Sequence, residues 1–167
     1  MNRWITLFAF LLLVASVPAA AQADPCKLLT PAEIESALGI KASGFTRGSA
    51  PGGTLTCNGD AGKGVSVGLV LSIQKPGDPK IPDLMGFLEN QSREGAKRIG
   101  AQLDVKRFGS SILCTAMTTP KQGPYNTQCM AVKPTSMAMI TVLVPTQQEM
   151  LPMDKLRPLA EKMLGRF

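Results

Sequence analysis

The sequence predicts an α+β fold: an antiparallel β-sheet packed against three helices. Three observations lead to it. Val65 to Ile73 alternates, with Val65, Val67, Leu69, Leu71 and Ile73 on one side and Ser66, Gly68, Val70 and Ser72 on the other. That is the period of a half-buried strand. Ser111 to Val144 reads as three short strands, Ser111–Thr118, Thr127–Lys133 and Met137–Val144, punctuated by glycine and proline at Thr119–Pro124 and Pro134–Ser136. Helical stretches stand before, between and after these runs. Strands that follow one another through hairpin-length turns pair antiparallel, with the helices laid on the sheet.

The 167-residue chain opens on a secretory pattern. Arg3 supplies the positive end, Trp4 to Val17 is an apolar run, and Ala21-Gln22-Ala23 is a small-residue cleavage site. The run is shorter than the ~20 apolar residues of a spanning helix. The expected division is a signal peptide at 1–23 and one disulfide-stabilised domain at 24–167. No later run is long enough to span a membrane, so the mature chain is expected to be periplasmic or secreted.

The first helix starts at Thr30-Pro31-Ala32-Glu33. Thr30 is the N-cap, Pro31 takes the first helical position, and Glu33 closes a capping box. Ile34, Ala37 and Leu38 form its apolar stripe, and Gly39 ends it. Ser43 to Gly53, rich in glycine and poor in apolar residues, reads as a mobile loop. A short strand, Thr54–Cys57, then leads into a turn from Asn58 to Gly64. Gly62-Lys63-Gly64 lacks the spacing of a phosphate loop and reads as turn chemistry.

Lys75 to Pro82 reads as a loop with three prolines. Asp83 to about Arg98 reads as the second helix, its inner side drawn through Leu84, Phe87, Leu88, Gln91 and Gly95. Gly86 and Gly95 are expected to weaken it by ~1 kcal/mol each. A strand near Leu103–Arg107 precedes the central hairpins. After Pro145, Thr146–Glu149 makes one capped turn. Met153 to about Gly165 is the third helix, with Leu156, Leu159, Ala160, Met163 and Leu164 as its stripe. Pro158 is expected to kink it or confine regular helix to the residues after it.

Four cysteines in an exported domain read as two disulfides. Proximity in sequence selects Cys26–Cys57 and Cys114–Cys129. With Cys114 opposite Cys129, the turn centres between Lys121 and Gln122, inside the proline- and glycine-bearing segment. A non-hydrogen-bonded antiparallel pair has Cα atoms ~4.5 Å apart, which a disulfide tolerates.

The segment Cys26-Lys27-Leu28-Leu29-Thr30 with the later Leu38-Gly39 resembles the mature start of a family of small exported bacterial envelope domains, many of them lipoproteins. A second cysteine in a strand, here Cys57, and a Leu-Ala pair in the last helix, here Leu159-Ala160, belong to the same pattern. Members often carry a tryptophan two residues after the second cysteine, where this chain has Gly59. Cys26 lacks a lipobox. The resemblance implies a sheet flanked by helices, with a likeness to the small PsbP and Mog1 type domains, and it implies no catalytic residues.

The formal net charge is +6 and histidine is absent. Histidine-dependent triads and His-ligated metal sites are thereby excluded. A Ser-Lys pair remains open from Lys97 with Ser110 or Ser111. Carboxylate pairs for glycoside chemistry can be drawn only from Asp60, Asp78, Glu89 and Glu94. Arg93, Lys97, Arg98, Lys106 and Arg107 form a loose basic cluster, ordinary for the end of a helix. Nine methionines are the unusual count. Met117, Met130, Met137 and Met139 fall on one sheet face, where thioethers fill core and can also hold Cu(I).

The function expected from all this is an exported, non-enzymatic binding or accessory module of the bacterial cell envelope. No cofactor is expected. Its partner would be an envelope protein, a lipid or an anionic polymer, not nucleic acid. The alternatives are a secreted hydrolase with a Ser-Lys or carboxylate-pair site, and a periplasmic Cu(I)-binding protein.

Overall fold

The computed structural model describes residues 24–51, 54–73, 81–119 and 125–167. The sheet is built from β1 (Ser43–Ala50), β2 (Thr54–Asp60), β3 (Ser66–Ile73), β4 (Gln102–Phe108), β5 (Ile112–Thr118), β6 (Tyr125–Lys133) and β7 (Ser136–Val144). The helices are α1 (Pro31–Leu38), α2 (Leu84–Arg98) and α3 (Met153–Leu164). All neighbours pair antiparallel in the order β1-β2-β3-β7-β6-β5-β4. Two meanders, β1–β3 and β4–β7, thus meet where β3 pairs with β7. The fold is α+β, as the sequence predicts.

One face of the sheet carries the main core. Cys57, Val67, Leu69, Leu71, Ile112, Cys114, Cys129, Ile140 and Val142 pack there against Leu28, Leu29, Ile34 and Leu38 and against Leu156, Leu159 and Met163 of α3. Strand alternation sends Leu113, Met130 and Val132 to the opposite face, where Met85 of α2 meets them. Cys26 is bonded to Cys57, and Cys114 to Cys129. The second pair lies opposite in register on β5 and β6. The Lys121–Gln122 turn centre lies outside the described residues. Two disulfides suit an oxidising compartment. Among the described residues, no helix is long and apolar enough to cross a membrane.

Three expectations are corrected. Ser43–Ala50 is not a loop but the edge strand β1. Apart from Phe45 and Arg47 its residues are small, and none is fully buried, so it has no hydrophobic period to read. Backbone pairing with β2 makes it a strand, and Gly44, at φ 64°, takes the left-handed position of a bulge between Ser43 and Thr46. Gly59 is not in a turn but in β2, where the ring of Phe45 lies so close that a Cβ would come within 2.8 Å of it. Third, α3 is already helical from Met153, so Pro158 does not confine regular helix to the residues after it.

Glu33 fastens α1 to α3. Its side chain accepts from the Thr30 backbone N–H at 2.9 Å, and its own N–H donates to Thr30 Oγ1, closing the capping box. Arg166 grips both carboxylate oxygens at 2.7 and 2.8 Å, and Lys162 adds a contact at 3.3 Å. The Arg166 hydrogen bonds, foremost, hold the Glu33 carboxyl far below the usual carboxylate range. A depressed pKa stabilises the fold above the unfolded pKa of ~4.3 and is lost as pH falls toward the folded value. Glu33→Gln is therefore expected to cost ~1 kcal/mol at neutral pH. The gap to the parent protein should close on acidification below pH ~4, read from urea midpoints across pH. A gap independent of pH would refute the ionic origin.

Candidate functional site

A groove lies at the N-terminal half of α2. Asp83 caps the helix, its Oδ1 accepting from the Gly86 N–H at 2.8 Å. A Cβ on Gly86 would sit 2.1 Å from the other carboxylate oxygen, so this glycine makes room for the cap. The floor comes from two turns. Ser110 and Ser111 lie between β4 and β5, and Val132, Lys133, Pro134 and Thr135 lie at the end of β6 and the turn into β7. The Val132 N–H donates to the Ser111 carbonyl at 2.8 Å, locking the two turns together. Ile81, Pro82, Leu84 and Met85 form the wall, around a volume of about 500 Å³. A smaller recess of about 170 Å³ shares Ile81, Leu84 and Thr135 and adds Leu88, Met137, Ser72 and Ser136.

The groove exists because α2 is rotated from the orientation its sequence suggests. Its buried residues are Met85 and Ala96. Leu84 and Leu88 are only half-buried, while Phe87, at 43 % exposed, Gln91 and Gly95 face solvent. The stripe drawn through Leu84, Phe87, Leu88, Gln91 and Gly95 is thus corrected at Phe87, Gln91 and Gly95, while Leu84 and Leu88 pack against the second core beside Met85 and the inner side continues through Ser92 and Ala96. The periodicity locates an apolar flank of the helix whose Leu84 and Leu88 pack at the margin of the second core and also border the groove.

The chemistry-bearing residues are dispersed. Ser110 and Ser111 lie at the N-terminal end of α2, whereas Lys97 is on its last turn, ~20 Å along the axis at 1.5 Å per residue. Lys133 is nearer, but its amine donates to the Phe167 backbone carbonyl and lies over the Phe167 ring at 4.6 Å. Glu89 accepts from Arg93 at 2.8 Å and Arg107 at 2.7 Å. These bonds, Arg93 first, hold its pKa below the ordinary value, opposite to the shift a general acid requires. Asp60 is bound into its own turn through the Gly62 N–H, Glu94 is exposed on α2, and Asp78 lies outside the described residues.

The basic residues form no single patch. Lys106 points to the opposite face from Arg107, pairs with Asp154 at 2.9 Å, and stacks with Arg157 over Phe108. Arg93 and Arg107 share Glu89, and Lys97 and Arg98 sit at the end of α2. Three of the four candidate methionines, Met130, Met137 and Met139, join the second core. Met130 faces Met139, Val132 faces Met137, and all pack with Met85 and Leu113 beneath α2. Met117 lies further along the same face, opposite Leu103 and Asn126. Among the described residues, no three or more His, Cys, Asp or Glu side chains gather as a metal cluster.

Thr115 escaped the sequence reading. It lies on the α2 side of β5, fully buried, and its hydroxyl has no hydrogen-bond partner among the described residues. A β-branched residue at a core position gives no sequence signal of that orphaned hydroxyl. Thr115→Val keeps the shape and removes the desolvated group, so it is expected to stabilise the protein by ~1 kcal/mol. A destabilised variant in urea unfolding would mean that the hydroxyl is satisfied in solution. No protein-family model matches this chain, and no curated protein does.

Proposed function

We propose that the chain is an exported, non-enzymatic binding module of the bacterial cell envelope. In this reading the groove beside α2 holds the apolar part of a lipid or similar small envelope molecule. The groove itself carries the proposal. Its volume of about 500 Å³ lies within the ~300 to 1,000 Å³ of small-molecule sites. Its apolar lining includes Ile81, Leu84, Met85 and Val132, with Ser110, Ser111 and Thr135 as a few convergent polar groups. The secretory pattern at 1–23, the two disulfides and the resemblance of Cys26–Gly39 to small envelope domains support the exported setting. The separation of Lys97 from Ser110 and Ser111, and the ion-paired state of Glu89, favour binding over hydrolysis.

The test is native mass spectrometry of protein purified from the envelope of producing cells. The parent protein is expected to carry a lipid-sized adduct. Leu84→Glu places a charge in the groove at the start of α2, where an acidic residue suits the helix dipole. It should lose the adduct, and because Leu84 also packs against the second core, the melting temperatures of Leu84→Glu and of a Leu84→Ala control separate lost binding from lost packing. An adduct-free parent protein, or an adduct indifferent to Leu84→Glu, would refute the assignment of the groove.

A further inference from the structure

We propose that Met130, Met137 and Met139 of the β6–β7 hairpin, with Met85 above them on α2, form a thioether site for a soft monovalent cation, Cu(I). Four of the chain's nine methionines meet in this one cluster. Register brings three of them together. The Val132 N–H points toward β5, where it donates to the Ser111 carbonyl. Alternation turns the backbone groups of Met130 toward β5 as well, so Met130–Met139 and Val132–Met137 are non-hydrogen-bonded pairs between β6 and β7. Side chains stand closest at such pairs, with Cα atoms ~4.5 Å apart. Met137 and Met139, two residues apart on β7, share that face, and Met85 packs with the same cluster from the helix. Met117 lies further along the face, opposite Asn126, and is not part of the site.

Core filling alone does not account for the cluster. Met163, which fills the main core, is fully buried, whereas Met137 and Met139 are only half-buried. Met137 lines the smaller recess and Met85 the larger groove, so the thioethers have a path to solvent. The rest of the chain offers a soft cation nothing better. All four cysteines are in disulfides and histidine is absent. Thioether sulfur is a soft ligand that selects Cu(I) over harder ions. Unlike a thiol or an imidazolium, it has no proton to give up when the metal binds. The site uses sulfurs beneath α2 and stands independently of what fills the groove.

The test adds Cu(I) under argon, as its acetonitrile complex, to the purified protein and follows methionine methyl NMR signals and native mass. One Cu(I) per chain is expected. It should shift the methyl signals of Met85, Met130, Met137 and Met139 and leave those of Met117 and Met163 in place. The affinity should change less than about threefold between about pH 5 and about pH 7.5, because no ligand is deprotonated on binding. Replacing Met130, Met137 and Met139 together with leucine keeps the packing volume and should abolish binding. The methyl shifts are read on the parent protein, so they decide the matter even where the triple variant fails to fold. Absence of saturable binding overturns the proposal. So does saturation through the other methionines, binding retained by the folded triple variant, or an affinity that falls about tenfold per unit of acidification, as a proton-releasing ligand requires.

Discussion

Replacing both Cys26 and Cys57 with alanine is expected to lower stability by ~4 kcal/mol, and the same change at Cys114 and Cys129 by ~3. The bridges span 31 and 15 residues, and the longer loop loses more entropy in the unfolded chain when it is closed. The longer bridge also has more to hold. It ties the segment before α1 to β2, and Leu28 and Leu29 of that segment lie in the main core. The shorter one joins strands that already share a ladder. Against a total of ~5 to 15 kcal/mol, either loss is large. Guanidinium unfolding of the two double variants measures the difference. A loss below ~1 kcal/mol for Cys26–Cys57 would show that the N-terminal segment is held by packing alone.

Leu156→Ala is expected to cost ~2 to 5 kcal/mol, and Leu88→Ala clearly less. Leu156 is fully buried on α3, whose stripe of Leu156, Leu159, Ala160 and Met163 covers the central strands. Truncation there leaves a cavity that the disulfide-braced sheet cannot collapse to fill. Leu88 is half-buried at the groove, so its removal vacates space already open to solvent. Urea midpoints of the two variants decide the point. Equal losses would mean that α2 is packed as firmly as α3 and that the groove closes in solution.

Elements with a strong local signal were legible. The Thr30–Glu33 capping box appears with both its hydrogen bonds, and Gly39 ends α1 in the left-handed conformation. The Val65–Ile73 alternation is β3, and its Val67, Leu69 and Leu71 are buried while Ile73 emerges at 43 % exposed. The register that sets Cys114 against Cys129 follows from the turn residues, and the tight turn at Pro134–Ser136 sets Met130 opposite Met139. β1 was illegible because an edge strand buries little, and its state depends on a neighbour supplying the ladder.

By itself the sequence determined the antiparallel α+β class, the cysteine pairs that proximity selects and the α3 core stripe. Each depends on the period, capping or spacing of a single segment. Only the tertiary structure decided that β3 pairs with β7, that α2 lies opposite α1 and α3, and that α2 turns Leu84 and Leu88 toward a groove. A helix with an apolar flank wider than its contact can settle in more than one rotation. Which rotation wins depends on the side chains of Leu113, Met130 and Val132, brought beneath it from the central hairpin. The groove, and with it the candidate site, is a consequence of that choice and is written in no single stretch of chain.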